Sequence, residues 1–97
     1  MGRLFDRVRK LVADEKYIVG EHAVERLEER GFLEWQVVSG VAEGRLLLER
    51  PDGKPNPAVE ILVVLPDGTE VKAVWALLAR SGVAKLVTVH FVEEGDK

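Results

Sequence analysis

The chain has 97 residues, enough for one core and too few for two; 46% are hydrophobic and 32% charged, which excludes a disordered tail protein. It has no cysteine, so disulfide frameworks and thiolate metal sites are excluded. The formal charge is −3 with a pI near 5.4, against the basic excess usual in proteins that bind phosphate backbones.

The N-terminus, "MGRLFDRVRK", is charged throughout, unlike a signal peptide, and no run approaches a membrane span, so a cytoplasmic location without membrane association is expected. Leu4, Phe5, Val8, Leu11 and Val12 follow helical spacing and predict an amphipathic helix over 3–13. Its other side carries Arg3, Arg7 and Lys10, a basic stripe suited to a nucleic-acid backbone or an acidic partner segment. After a short extended "YIV", the stripe of Ala23, Val24 and Leu27 predicts a second helix, which Gly31 ends as a left-handed cap. Trp35, Val37, Val38, Val41 and Ala42 predict a third helix, stopped by Gly44.

From Arg45 the period changes to alternation. "RLLLER" reads as a strand, and "PDGKPNP" as a turn-rich loop. "AVEILVVL" and "EVKAVWALL" flank "PDGT", a strong hairpin signal, and "LVTVHFV" is the last strand. Helices followed by strands indicate an α+β domain: two to three N-terminal helices packed on one face of an antiparallel sheet of about four strands. The expected organisation is a single domain over 1–97, with a helix and linker in 1–16, a core in 17–92 and a tail in 93–97. Few Gln, Asn, Ser and Thr beside abundant Glu, Arg, Leu and Val match thermophilic compositions.

Three polar features interrupt this pattern. His22, Arg26 and Glu29, with Arg30 beside them, share one sector of the second helix. That sector reads either as a solvated face of Glu–Arg pairs or as one side of an active site, with Glu29 holding Arg26. Leu86, Thr88, His90 and Val92 alternate onto one face of the last strand, where Thr88 and His90 either meet solvent or face a substrate. Lys72 breaks an apolar strand, as an edge guard or a site cation; whether it shares a face with His90 depends on register. No phosphate loop, serine elbow or metal cluster is visible, and no cofactor is expected.

"HAVERLEERGF" resembles the His-Ala-x-x-Arg-x-x-Glu-Arg-Gly signature of domain-of-unknown-function family 4258. The resemblance runs from about Tyr17 to Val92 and places the signature on His22, Arg26, Glu29, Arg30 and Gly31. Lys72 stands where many members carry His in a His-Val-Val run, and the last-strand Thr-x-Tyr reads Thr88 and His90. That family is similar to the RelE and ParE toxins within the barnase-like and EndoU-like nuclease folds. The likeness implies a cleft between signature helix and sheet, and a toxin-like, metal-independent endoribonuclease with RNA as substrate and an antitoxin-like protein partner. In that reading His22 and His90 are base and acid, Lys72 and Arg26 balance phosphate charge beside Thr88, and Glu29 and Arg30 support them. A non-catalytic protein- or nucleic-acid-binding module on the same fold is the alternative, favoured by the acidic pI.

Overall fold

The computed structural model describes residues 3–92, so the tail expected at 93–97 and residues 1–2 lie outside the described residues. Helix α1 (Arg3–Ala13) is followed by β1 (Tyr17–Val19), α2 (Glu21–Arg30) and α3 (Glu34–Ser39). A 3-10 turn at Gly40–Glu43 then leads into β2 (Arg45–Arg50), β3 (Ala58–Val64), β4 (Glu70–Leu78) and β5 (Val83–Phe91). The sheet has five strands in the order β1-β5-β4-β3-β2. β2 to β5 form the antiparallel meander, and "YIV" adds the fifth strand, parallel to β5, at one edge. The extended character of "YIV" is local, but its parallel pairing is not, since only contact with β5 makes it a strand.

All three helices lie on one face. Val8 and Val12 of α1, Ala23 and Leu27 of α2, Val37 of α3 and Val41 of the 3-10 turn share a core with Val59, Ile61, Val63, Val71, Trp75 and Val89. Trp75 is fully buried and meets the Tyr17 ring edge-on at 6.1 Å. Three members of the expected stripes face solvent instead: Val24 is 39% exposed, Trp35 61%, and Ala42 is exposed as well. α2 is narrow because Ala23 and Leu27 alone reach the core, and α3 runs only six residues before tightening into the 3-10 turn.

Local chemistry sets the helix ends. Gly31 adopts φ 75°, and the N–H groups of Gly31 and Phe32 return to the carbonyls of Glu28 and Leu27. A side chain at position 31 would be strained in that backbone region, which is why glycine closes α2. α1 is held at its start by a distant group, since Glu49 of β2 accepts a hydrogen bond from the Phe5 N–H at 2.8 Å. That bond satisfies one of the helix's orphan donors and places a carboxylate at the positive end of the dipole. Arg9 donates to the Ala42 carbonyl and sits 5.2 Å over the Phe5 ring, tying α1 to the 3-10 turn.

The β3–β4 hairpin closes through "PDGT". Gly68 has φ 90°, and the Asp67 carboxylate accepts the Thr69 N–H at 3.0 Å. Hydrogen bonds from the Thr69 backbone and side chain hold the Asp67 carboxyl below its ordinary value. Because the folded-state value is depressed, this contribution is present above the unfolded carboxylate range and is lost as pH falls through the folded one.

Three measurements check this architecture. Val8→Ala should destabilise the domain by about 2 kcal/mol in denaturant melts, as for a buried side chain in a shared core. Glu49→Ala should cost about 1 kcal/mol, in the range of a lost helix cap. An NMR titration should give Asp67 a lower midpoint than an Asp in the unfolded chain, and an ordinary midpoint would remove the proposed turn bond.

Candidate functional site on the open sheet face

The face of the sheet away from the helices is built by alternation. On β4, Val71, Ala73 and Trp75 enter the core, so Lys72, Val74 and Ala76 point the other way. On β3 the outward set is Ala58, Glu60, Leu62 and Val64. On β5 the phase changes once. Trp75 pairs with Leu86 but Val74 pairs with Thr88, leaving Val87 as the extra residue of a β-bulge.

The bulge corrects one expectation from the sequence. Leu86 does not share a face with Thr88 and His90: it is fully buried in the core, while Thr88 and His90 face outward opposite Val74 and Lys72. Strict alternation would have placed all three together, and one inserted residue reverses the side chains beyond it. Downstream of the bulge Val89 and Phe91 turn toward the helices, where Phe91 packs edge-on against Phe32 at 5.2 Å.

The open face therefore brings together Lys72 and His90 as direct cross-strand partners, with Thr88 two residues from His90. Lys72 Nζ lies 3.5 Å from Oε1 of Glu60, and Nη2 of Arg50 lies 3.1 Å from Oε2 of the same carboxylate. Glu60 is thus shared between two cations, with 16% of its side chain exposed. The Thr88 hydroxyl oxygen is buried and has no hydrogen-bond partner among the described residues. An unmet buried hydroxyl costs free energy unless solvent or a ligand completes it.

Beside this cluster lies a depression of about 520 Å³, lined by Arg45, Leu47, Leu48, Leu62 and Lys72 together with the carboxylates of Glu60 and Glu70. A separate hollow of about 370 Å³ at the hairpin end, lined by Gly68, Thr69, Glu70, Phe91 and Val92, offers one carboxylate and no cation. Glu60, Arg50 and Arg45 were not singled out by sequence reading. Glu60 alternates with core residues like any outward strand carboxylate, and nothing local reveals that Arg50 and Lys72 converge on it.

The signature helix lies elsewhere. α2 packs against β5 through Ala23 and Leu27, on the core side, so His22, Arg26, Glu29 and Arg30 belong to the helical layer. Arg26 does pair with Glu29, at 3.2 Å, and His22 is exposed. Arg30 sits 5.0 Å over the Phe91 ring. His90 and Lys72 face the other side of the sheet from the core that Ala23 and Leu27 enter. A wheel sector shows which residues share a side and not which layer that side faces; the fold puts this sector in the helical layer. The stripe of Arg3, Arg7 and Lys10 is exposed on α1, also in the helical layer, with Lys10 3.5 Å from Asp14.

Among the described residues no group of three or more His, Asp or Glu side chains could hold a metal ion, and no helix is long and apolar enough to cross a membrane. The domain is of a definable class: an α+β fold with its helices on one face of a mixed sheet and a charged cluster on the other. The model of a family described as Domain of unknown function (DUF4258) matches residues 19–91, and the chain belongs to that family. No curated protein and no solved structure matches the chain. α1 lies outside the matched residues, although Val8 is fully buried in the common core.

A double-mutant cycle tests the shared carboxylate. Glu60→Ala and Lys72→Ala should couple by about 0.5–1 kcal/mol at low salt, with the coupling shrinking as salt is raised. Additive effects at low salt would show that the pair contributes nothing.

Proposed function

We propose that this domain is a toxin-like, metal-independent endoribonuclease related to the RelE/ParE-like fold, with its site on the open sheet face. The observation that carries the reading is the contiguity of Glu60, Lys72 and His90: Lys72 contacts Glu60 on one side and pairs with His90 on the other. A carboxylate, an imidazole and flanking cations are the groups that cleavage of RNA by its own 2′-hydroxyl requires.

In this scheme Glu60 removes the 2′-hydroxyl proton, and the 2′ oxygen forms a bond to phosphorus as the bond to the 5′ oxygen breaks. Protonated His90 supplies a proton to that leaving oxygen. Lys72, Arg50 and Arg45 offset charge on the pentacoordinate phosphate, and the Thr88 hydroxyl is a donor beside it. The products are a 2′,3′-cyclic phosphate and a 5′-hydroxyl, and solvent exchange restores both groups. Relative to the two-histidine scheme, Glu60 replaces His22, and Arg26, Glu29 and Arg30 lose their part. An antitoxin-like protein partner remains part of the proposal.

A second reading, a nucleic-acid-binding module without cleavage, is favoured by Glu60 itself. Both of its oxygens are engaged by cations, an arrangement that orders Arg50 and Lys72 for phosphate binding without any proton transfer.

Incubation of single-stranded RNA with the purified chain in excess chelator separates the readings. Cleavage should persist, leave a cyclic phosphate on the upstream fragment and show a bell-shaped pH dependence whose acid limb disappears in Glu60→Gln. His90→Ala should lower the rate by roughly two to four orders of magnitude. His22→Ala should leave it unchanged. Full activity in His90→Ala, or loss of activity in His22→Ala without loss of stability, would defeat this assignment. Binding without cleavage would leave the second reading.

A further inference from the structure

The open face carries a second depression, of about 240 Å³, beyond the row of Glu60, Val74 and Thr88. Its floor is Ala58 and Ala76, which are direct cross-strand partners, and its sides are Pro55, Val74 and Val87. Asn56 and two lysines, Lys54 and Lys85, complete the lining. Two small side chains facing each other in a sheet leave a shallow apolar seat, and the 51–57 loop beside it supplies an amide.

Lys85 is placed for this role by its neighbours. It pairs with Ala76 on one side and Ile18 on the other, and its stem runs across Gly20. A Cβ at position 20 would lie 2.8 Å from Lys85 Cε and 3.7 Å from Nζ, so glycine there leaves the lysine its path. Among the described residues neither Lys85 nor Lys54 is paired with a carboxylate, in contrast to Lys72 and Arg50.

Charge follows the same geometry along the whole face. The two depressions are lined by Arg45, Lys72, Lys54 and Lys85, against Glu60 and Glu70. The net charge of the chain is nevertheless −3, because Glu21, Glu25, Glu28, Glu29 and Glu34 are displayed on the helical side. From Leu62 beside the first depression to Ala58 in the second is four residues of one strand, roughly 14 Å at about 3.4 Å per residue. That span exceeds a single nucleotide.

We infer that the second depression is a nucleotide subsite, in which a nucleobase lies on Ala58 and Ala76, Asn56 meets its polar edge, and Lys85 and Lys54 bind the adjoining phosphates of a single strand. The inference rests on the proposed RNA site and extends it: the substrate class is a single strand spanning at least two nucleotides, seated across the sheet. Single strands are held by such combinations of a positive track and flat apolar seats. A duplex is excluded by the seat, which takes a base whose face is free.

Fluorescently labelled single-stranded DNA of two and of six nucleotides is the probe, since it lacks the 2′-hydroxyl and is not cleaved. Anisotropy titrations should show tighter binding of the hexanucleotide. That gain in affinity with length should collapse in Lys85→Gln, in Asn56→Ala and in Ala58→Leu, whose folding is checked by thermal melts. Lys85→Gln should also flatten the slope of log K against log salt by about 0.7, the increment for one phosphate of a single strand.

Loss of hexanucleotide binding in Lys72→Gln, with the gain from length intact in all three subsite variants, would overturn the subsite and leave the proposed site standing. A wild-type chain that binds neither oligonucleotide would overturn the subsite, and one that also fails to cleave or bind single-stranded RNA would overturn both. Equal displacement of the hexanucleotide by polyglutamate of matched charge would show a charged surface without base recognition, and would overturn the subsite.

Discussion

The arrangement of the open face hangs on the pairing of β4 with β5 and on the one residue inserted there. Upstream of Val87, Ala84 and Leu86 enter the core; downstream, Val89 and Phe91 do. Without the bulge these two sets would lie on opposite faces, and one end of the strand would bury His90 while exposing Val89 and Phe91. The hydrophobic requirement at both ends of β5 therefore fixes the phase change. The same change sets Thr88 and His90 beside Val74 and Lys72.

One-sided covering of the sheet then separates the charges. The helices screen one face and present acidic residues outward, with half-buried Arg26 and exposed Glu29 as a pair of little energetic weight. The other face keeps its cations close to a low-dielectric apolar floor of Leu62, Val74 and Ala76, where solvent screening is weaker. An overall acidic protein is thus compatible with a basic surface, because association depends on the local field at a surface and not on the sum over the chain.

α1 shows how far the fold reaches beyond the matched residues 19–91. Its Val8 and Val12 complete the core over the centre of the sheet, and Glu49 and Ala42 fix its position from β2 and the 3-10 turn. The helix seals the apolar face of the meander. Its basic stripe is directed away from the sheet, so it takes no part in the open-face cluster.

Elements whose causes are local can be read from the residues alone. The 3.6-residue period of Leu4, Val8 and Leu11, the left-handed glycine after Arg30 and the Asp-Gly turn at Asp67 fixed the span of α1, the end of α2 and the β3–β4 hairpin. The burial of Val8, Ala23 and Leu27 was legible too, since an apolar stripe must find the core. The candidate site was legible only in part. Lys72, Thr88 and His90 stood out as polar interruptions of apolar strands, but Glu60 and Arg50 did not, and His22 stood out for a helix face in another layer. These matters are settled by the folded chain, because which side chains meet across strands is set by register and by a bulge. Both are chosen by contacts between segments distant in the chain, and no local pattern encodes them.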